Sequence, residues 1–438
     1  MNEAQAPATN AAHQKTDPYA WYVLTILTIV YTFNFVDRQI IAIVSPAIKE
    51  ELGLSDSMLG LLKGLAFAVL YTMVGIPIAW LADRKNRVNI VTISLAVWSA
   101  FTALSGLAAN AAQLALARVG VGIGEAGGSP PSHSIISDYF PKERRSTALA
   151  LYSLGIPFGQ MLAFLGGGWV LQHLGWRNAF LIVGIPGIVL AILLKLTVKE
   201  PIRGAKDAGA PSAPVSFREG AKALLSIPSF WGLLIAATAA SFTGYGVAMW
   251  AVDFYKRTYA IPAEAIQTIT IPLGILNGVA YGIGTYLGGM LTDHFGKKNK
   301  GAYALIPGLG MLLTIPVGVL QLWSPTSTMA LFWTAPFLVG LGLYLGPTWA
   351  LVQTLAPANM RAFAVAFMFF ILNIIALGFA PLWVGGLSDL FAQSYGEVTG
   401  LRLALTTLVL SSSIAVIAFF WTAKKLPADW ARATAGAG

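Results

Sequence analysis

The stretch "GIPIAWLADRKNR", residues 75–87, ends an apolar run on an aspartate that is followed by three basic residues. A second copy, "GTYLGGMLTDHFGKK" at residues 284–298, has its aspartate 210 positions further along the chain. Another pair agrees with this spacing, because "PKERRSTALALYS" at 141–153 and "PANMRAFAVAFMF" at 357–369 share Pro and Arg at offsets 216 positions apart. Paired repeats with a substrate site between them are a common plan of transporters, so these copies predict two similar halves.

The composition is that of an integral membrane protein. Of the 438 residues, 56% are hydrophobic and only 11% are charged, and the mean hydropathy is +0.69. A soluble domain carries about 25% charged residues, so this chain has too little polar surface to be stable in water. The formal charge of +9 follows the membrane topology described next and does not indicate nucleic-acid binding.

Apolar runs of about 20 residues, the length needed to cross a bilayer, recur along almost the whole chain. With the N-terminus inside, 20 of the 28 lysines and arginines fall in inner connections, five in outer ones and three within spans. Because basic residues favour cytoplasmic loops, both termini are predicted to be cytoplasmic, in a multi-pass protein of the inner (plasma) membrane. We predict an all-α fold with twelve transmembrane spans at residues 19–48, 57–82, 88–109, 111–139, 144–172, 176–197, 229–258, 265–292, 300–323, 327–356, 359–388 and 399–424.

The longest connection, residues 198–228, is rich in Pro, Gly, Ala and charge, which is typical of a linker. It divides the chain into a tail at 1–18, a six-helix bundle at 19–197, a second bundle at 229–424 and a tail at 425–438. Within the linker we predict an amphipathic helix with Ser216 as its N-cap. Its apolar face is formed by Phe217, Ala221, Leu224 and Leu225, and the helix would lie on the inner membrane surface.

Charged residues inside membrane spans are costly and usually contact a partner or face a cavity. Arg118 and Glu125 of span 4 share a helix face but stand about 10 Å apart along the axis, so they need partners from elsewhere. Asp37 of span 1 lies at a compatible depth, and we expect it to pair with Arg118 while Glu125 gains and loses a proton. The candidates are Asp37, Arg38, Lys63, Arg118 and Glu125, all in the N-terminal half.

Alternatives remain open for these charges. Burial and the neighbouring Arg118 act on the proton affinity of Glu125 in opposite directions, which makes that affinity tunable. The set could instead form a static polar lock between spans 1 and 4. Arg38 points about 100° away from Asp37 around the helix and is a candidate anchor for an anionic headgroup. Lys63, near the outer end of span 2, is expected to extend its amine to the lipid headgroups.

The two copies of the aspartate motif resemble the loop between spans 2 and 3 of the major facilitator superfamily. The resemblance to this superfamily extends over nearly the whole chain. Within the superfamily, "NFVDRQ", "GIGEAGGSPPSHSIISDYF" and "ALYSLGIPFGQ" are most similar to the Spinster group of sphingolipid and lysophospholipid transporters, as a bacterial homologue. Spinster members usually have "GEASYS" where this chain reads "GEAGGS", which implies a smaller local surface at Gly127 and Gly128. The organic anion symporter group shares the charge pair of span 1 and the Arg-to-Glu spacing of span 4.

The resemblance also implies a cytoplasmic latch that steadies the outward-open state. Its alternative is that these charges serve membrane topology alone. A latch with two discrete arrangements is what alternating access requires. The expected latch residues are Gly75, Asp83, Arg84, Arg87, Glu143, Arg144, Arg145 and Asp293.

Spans 7 to 11 carry no charge away from their ends, so one wall of a central cavity would be charged and the other aromatic and apolar. That asymmetry suits a molecule with a polar head and an apolar tail. We expect Arg38, Arg118 and Glu125 on the first wall to bind substrate together with Phe242, Tyr245, Asn277, Tyr281 and Asn373 on the second.

The predicted function is secondary active transport of an amphipathic lipid, lysophospholipid or sphingolipid-like, by alternating access and with proton coupling through Asp37, Arg118 and Glu125. The alternative is an organic anion/proton symporter of the same superfamily. An enzyme is not expected, because no nucleophile with its base and no cluster of His and Asp stands at one membrane face. The four histidines lie on different sides, so no metal is expected, and no cofactor beyond a proton gradient. The partners are the lipid bilayer and the substrate, without nucleic acid, and the chain is expected to be a monomer.

Overall fold

The structure, a computed structural model, describes residues 17–82, 84–203, 217–357 and 360–435. Within these ranges the regular secondary structure is helical throughout, and it contains no strand. Each predicted span corresponds to one helix, two helix segments or part of a longer helix. The all-α class with twelve spans in two six-helix bundles is confirmed.

The N-terminal half contains spans 1 to 6. Span 2 is broken once at Gly64, and span 4 is broken at residues 126–128, directly after Glu125. The segments are α1 (Pro18–Leu52) for span 1, α2 (Asp56–Lys63) and α3 (Leu65–Ala82) for span 2, α4 (Arg87–Ser105) for span 3, α5 (Ala111–Glu125) and α6 (Ser129–Tyr139) for span 4, and α7 (Lys142–Ser153) with α8 (Gly155–Thr197) for spans 5 and 6.

The C-terminal half contains spans 7 to 12 and follows the linker helix α9 (Phe217–Leu225). Span 11 includes a π-helical segment at Asn373–Phe379, a departure from regular α-helix that is frequent at functional sites. The segments are α10 (Pro228–Thr258) for span 7, a 3₁₀ turn at Ala263–Ala265, α11 (Gln267–Gly296) for span 8, α12 (Ala302–Leu322) for span 9, α13 (Ser327–Gly342) and α14 (Leu345–Leu355) for span 10, and α15 (Arg361–Leu372) with α16 (Ala380–Ala435) for spans 11 and 12.

Among the described residues, nine helices are long and apolar enough to cross a membrane, and three features account for the difference from twelve spans. Spans 5 and 6 run into each other at Gly175, and spans 11 and 12 at Gly396, without a loop. Each of these glycines has a φ near +78°, a left-handed conformation that reverses the chain and that other residues rarely adopt. Span 4 is too fragmented by its break to count as one helix.

The two halves repeat one packing scheme. Span 1 packs against spans 5 and 6, and span 7 packs in the same way against spans 11 and 12. Between the halves, span 2 contacts span 11, span 5 contacts span 8 and span 1 contacts span 7. We call the face at which α1 begins the terminal face, predicted to be cytoplasmic, and the opposite face the distal face.

Spans 2 and 11 approach most closely near the distal face. A Cβ atom at Gly60 would lie 2.4 Å from the carbonyl oxygen of Pro381, and one at Gly64 would lie 2.4 Å from that of Gly378. Only glycine permits this contact between backbones. Further along span 2, a Cβ at Gly75 would meet no atom within 4 Å, so the tight contact is confined to the distal part.

Two segments outside the spans pack on the bundle. The predicted C-terminal tail continues α16 as helix to Ala435, and Asp429 Oδ2 accepts the backbone N–H of Ser229 at 2.8 Å, at the start of span 7. The linker helix forms where the apolar face predicted it, but Leu224 is buried against the protein and does not face the membrane. The predicted cap Ser216 lies outside the described residues.

Replacing Gly60 by alanine is expected to lower stability, because the new Cβ would press on the backbone of Pro381, which cannot move aside. Overpacking of this kind costs about 1–3 kcal/mol, so the melting temperature of purified Gly60→Ala in detergent should fall. Gly75→Ala, in the same span but in open space, is the matched control and should not lower it. Equal losses in the two variants would contradict the close contact.

Candidate functional site

The pair predicted between spans 1 and 4 is present. Arg118 Nη1 lies 3.1 Å from Asp37 Oδ1, and both side chains are only 1% exposed. The Thr102 hydroxyl of span 3 donates to the other oxygen, Asp37 Oδ2. Asp37 is therefore held by groups from two neighbouring helices, and spans 1, 3 and 4 meet at its carboxylate.

The second carboxylate, Glu125, also has a basic partner, which was not assigned to it from the sequence. Arg38 Nε donates to Glu125 Oε2 at 2.6 Å. Because Arg38 points about 100° away from Asp37 around the helix, we expected it to act separately from the charges of span 4. Its side chain is long enough to reach Glu125 across that angle. The acid of span 1 thus pairs with the base of span 4, and the base of span 1 with the acid of span 4.

The Arg38 to Glu125 pair is the more accessible of the two. The Arg38 side chain is 15% exposed, whereas that of Glu125 is fully buried. The guanidinium lies among three aromatic rings, with its Cζ 5.3 Å from the ring centroid of Phe35, 5.1 Å from that of Phe67 and 4.6 Å from that of Tyr71. Such cation–π contacts stabilise a partly desolvated charge.

One oxygen of this pair has no hydrogen-bond donor. Glu125 Oε1 is buried without a partner among the described residues, and so is Arg118 Nε. An unsatisfied buried polar atom costs about 1–3 kcal/mol, and natural proteins keep such atoms mostly where they serve a purpose. A donor group of a ligand would satisfy this oxygen, and a proton on Glu125 would remove the charge that makes its burial costly.

The glycines that follow Glu125 pack against span 3. A Cβ at Gly127 would lie 2.1 Å from Ser94 Oγ, and one at Gly128 would lie 3.3 Å from the Trp98 ring. The small residues of "GEAGGS" therefore allow spans 3 and 4 to pack closely together at this point.

The predicted residues of the C-terminal half are not gathered into one cluster. Tyr245 of span 7 packs against the apolar core of the N-terminal half and so reaches across the interface. Phe242 instead lines an apolar cavity of about 420 Å³ between spans 7, 11 and 12, where it contacts Trp383. Asn277 Nδ2 donates to Leu273 O in its own helix at 2.8 Å, and Asn373 begins the π-helical segment.

Two hydroxyl groups lie together near the predicted residues. Ser241 Oγ and Tyr344 Oη lie 3.0 Å apart, and both residues are buried. Tyr281 is partly buried and packs against the apolar core that contains Tyr344. Tyr344 is one of the aromatic residues that the sequence offers for a cavity wall in the C-terminal half, whereas nothing in the mostly apolar sequence of span 7 singled out Ser241. The C-terminal wall therefore offers hydroxyl groups and aromatic rings without a charged side chain among them.

The contacts described for Arg84, Arg87 and Asp293, three of the predicted latch residues, lie within their own halves. Arg87 is buried at the start of span 3, with Nη1 2.5 Å from Asp138 Oδ2 and Nε 2.7 Å from Glu200 Oε1. These acidic partners at the ends of spans 4 and 6 were missed, although both lie beside basic loops in the sequence. Arg87 thus ties three spans of the N-terminal half together.

The other latch candidates lie at the terminal face. Arg84 stacks on Trp80 at 4.0 Å, Arg145 donates to the Ser137 carbonyl, and Asp293 Oδ1 accepts from Tyr303 Oη at 2.9 Å. Arg144 is exposed. Asp83 and the side chain of Glu143 lie outside the described residues, so the latch remains a prediction.

The prediction for Lys63 is wrong. Its amine does not extend to the lipid headgroups but is fully buried, 2.5 Å from Asp253 Oδ2 of span 7 and 3.9 Å from the centroid of the Trp250 ring. The reason is that α2 packs against the opposite half and not against lipid. The buried charges are therefore not confined to the N-terminal half.

A family model described as Major Facilitator Superfamily matches residues 27–381. An MFS-type efflux pump of Mycolicibacterium smegmatis is 32% identical over 411 residues, which cover 92% of each chain. Protein spinster homolog 1 of Homo sapiens is 26% identical over 435 residues, covering 94% of this chain and 82% of the human one. A probable L-galactonate transporter of Escherichia coli is 25% identical over 385 residues, covering 84% and 82%.

A solved structure agrees along the whole fold. The crystal structure of a bacterial homolog to the human lysosomal transporter Spinster, in an inward-facing and unoccupied conformation, has a TM-score of 0.85 and 31% identity. It covers 95% of this chain and 99% of that one. The likeness therefore includes both halves and the interface between them.

Arg118→Met is expected to destabilise the protein by about 3–5 kcal/mol, because it leaves Asp37 charged, buried and without its partner. The matched control is Arg177→Met, which removes a pair with Glu51 whose side chains are 37% and 50% exposed and which should cost less than about 1 kcal/mol. Unfolding in detergent measures both. The double variant Arg118→Met/Asp37→Asn should recover part of the loss, and a double variant no more stable than Arg118→Met would argue against the pairing.

Proposed function

The chain belongs to the major facilitator superfamily and is Spinster-like, and from this we propose that it moves an amphipathic lipid, lysophospholipid or sphingolipid-like, with proton coupling. As a multi-pass membrane transporter it acts on a small-molecule substrate and is not an enzyme. The proposal concerns the cargo and the driving force, and the observation that carries it is the crossed pairing of two acids and two arginines between spans 1 and 4.

The two pairs have different roles in this proposal. The Asp37 to Arg118 pair is buried, has a third partner in Thr102, and holds spans 1 and 4 together. The Arg38 to Glu125 pair is partly accessible and has an unsatisfied carboxylate oxygen. Glu125 is therefore the proton site, and neutralising it releases Arg38 from its partner.

A released Arg38 binds the anionic part of the cargo. Guanidinium groups present several donors in a plane that matches phosphate and carboxylate oxygens. The rings of Phe35, Phe67 and Tyr71 surround the Arg38 guanidinium and keep it in place. On the opposite wall, spans 7 and 10 provide the hydroxyl pair of Ser241 and Tyr344 among apolar residues. A head that is anionic and a tail that is apolar fit these two walls.

The alternative cargo is a small organic anion, favoured by the likeness to the L-galactonate transporter of Escherichia coli. In that case Arg38 binds the substrate carboxylate, and the apolar cavity lined by Phe242 serves packing alone. Competition separates the two cargoes. Lysophospholipid uptake that is unaffected by excess L-galactonate supports the lipid, whereas gradient-driven uptake of L-galactonate itself supports the organic anion.

Glu125→Gln is expected to abolish gradient-driven flux of labelled lysophospholipid in proteoliposomes while binding survives, because glutamine fits the site but cannot be protonated and deprotonated. Glu50→Gln is the matched control, since Glu50 also pairs with a basic residue but its side chain is 69% exposed, and it should transport normally. Flux that ignores the pH gradient in the native protein and in Glu125→Gln alike would make the protein a facilitator. Glu125 would then belong to a static lock between spans 1 and 4.

A further inference from the structure

A second buried ion pair joins the two halves near the distal face. Lys63 belongs to span 2 in the N-terminal half and Asp253 to span 7 in the C-terminal half. Lys63 Nζ lies 2.5 Å from Asp253 Oδ2, and both side chains are 0% exposed. The proposed proton site does not use this pair.

The surroundings of the pair satisfy both charges. Asp253 Oδ2 also accepts the hydroxyl of Ser45 in span 1 at 2.6 Å, and Oδ1 accepts from Arg257 at 3.2 Å. Lys63 lies over the ring of Trp250, whose Nε1 donates to a backbone carbonyl of span 11 at 3.0 Å. Spans 1, 2, 7 and 11 therefore converge on one dry, charged contact.

Two other ion pairs that cross between the halves at this face have exposed acidic side chains, whereas a third, Arg257 with Asp56 at 2.7 Å, is only 12% and 3% exposed and adjoins the buried pair. Lys256 lies 2.5 Å from Glu50, whose side chain is 69% exposed, and Lys49 lies 3.4 Å from Glu397, which is 71% exposed. Exposed pairs contribute little, because water solvates the charges nearly as well when they separate. A buried pair behaves differently, since removing one partner leaves a charge without compensation.

We propose that Lys63 and Asp253 are the gating pair that makes closure of the distal face all-or-none. With the face closed, the two charges are paired and dry. With the face open, they are apart and hydrated. An arrangement in between, with the charges separated but still dry, is costly, so the interface has two discrete states, as alternating access requires. The inference rests on alternation between two states and not on the cargo or the proton, so its failure is distinguishable from failure of the proposed function.

The experiment follows the opening of the distal face directly. Because the sequence contains no cysteine, introduced cysteines label single positions. Spin labels at Ala109→Cys and Ala263→Cys, both exposed and on opposite halves near the distal face, report its opening. A second pair at Lys85→Cys and Lys298→Cys, exposed near the terminal face, reports the reciprocal closure.

Lys63→Met is expected to shift the population toward the open distal face by more than about tenfold, because it leaves Asp253 dry and short of its main partner. The double variant Lys63→Met/Asp253→Leu should return the population to the closed state, since no uncompensated charge remains. Asp253→Asn keeps the side-chain volume and should shift the population in the same direction as Lys63→Met. The test therefore does not depend on the folding of one variant.

Lys256→Met is the matched control, because it removes another lysine to carboxylate pair at 2.5 Å between the same halves, but an exposed one. It should leave both distance distributions close to those of the native protein. The proposal is overturned if Lys63→Met and Asp253→Asn keep the native distributions, if Lys256→Met shifts them equally, or if the double variant is as open as Lys63→Met.

Discussion

A charge buried away from water needs an opposite charge in contact with it, and this constraint decides which helices of the protein must touch. Spans 1 and 4 meet through Asp37 with Arg118 and through Arg38 with Glu125. Spans 2 and 7 meet through Lys63 with Asp253. Glycines permit the remaining close approaches of backbones, as at Gly60, but glycines alone do not specify which helix is the neighbour.

The pairs differ in whether alternating access must break them. Arg87 with Asp138 and Glu200 lies within one half, so a rigid-body movement of the halves leaves it intact. Lys63 and Asp253 belong to opposite halves and must separate when the distal face opens. Buried pairs within a half therefore stabilise a rigid body, whereas under the gating proposal the Lys63 to Asp253 pair between the halves separates two states. In that proposal the same kind of interaction serves stability in one place and gating in the other.

Much of the fold was predictable from the sequence, because apolar length, repeat spacing and the placement of basic residues each depend on local composition. The Asp37 to Arg118 pair was also predictable, since depth along a helix follows from residue number. The partner of Glu125 was missed because the direction of Arg38 was judged from the helix axis, while a long side chain can cross that angle. Lys63 was misplaced for another reason, since no pattern in span 2 distinguishes a lipid-facing helix end from one that packs on the opposite half.

The crossed arrangement of spans 1 and 4 bears on how a proton and a cargo would be linked. Asp37, Arg38, Arg118 and Glu125 carry two negative and two positive charges, so the buried set is neutral when Glu125 is ionised. Under the proposed function, a proton on Glu125 leaves the set with one excess positive charge, and an anionic headgroup at Arg38 restores neutrality. Each ligand then favours the binding of the other, and by thermodynamic linkage the two couplings are equal in size. A single pair of one acid and one arginine would also permit this exchange of proton and headgroup. However, spans 1 and 4 would then lose their only ionic contact when the arginine is released. The second pair, Asp37 with Arg118, keeps spans 1 and 4 in register while the first pair opens.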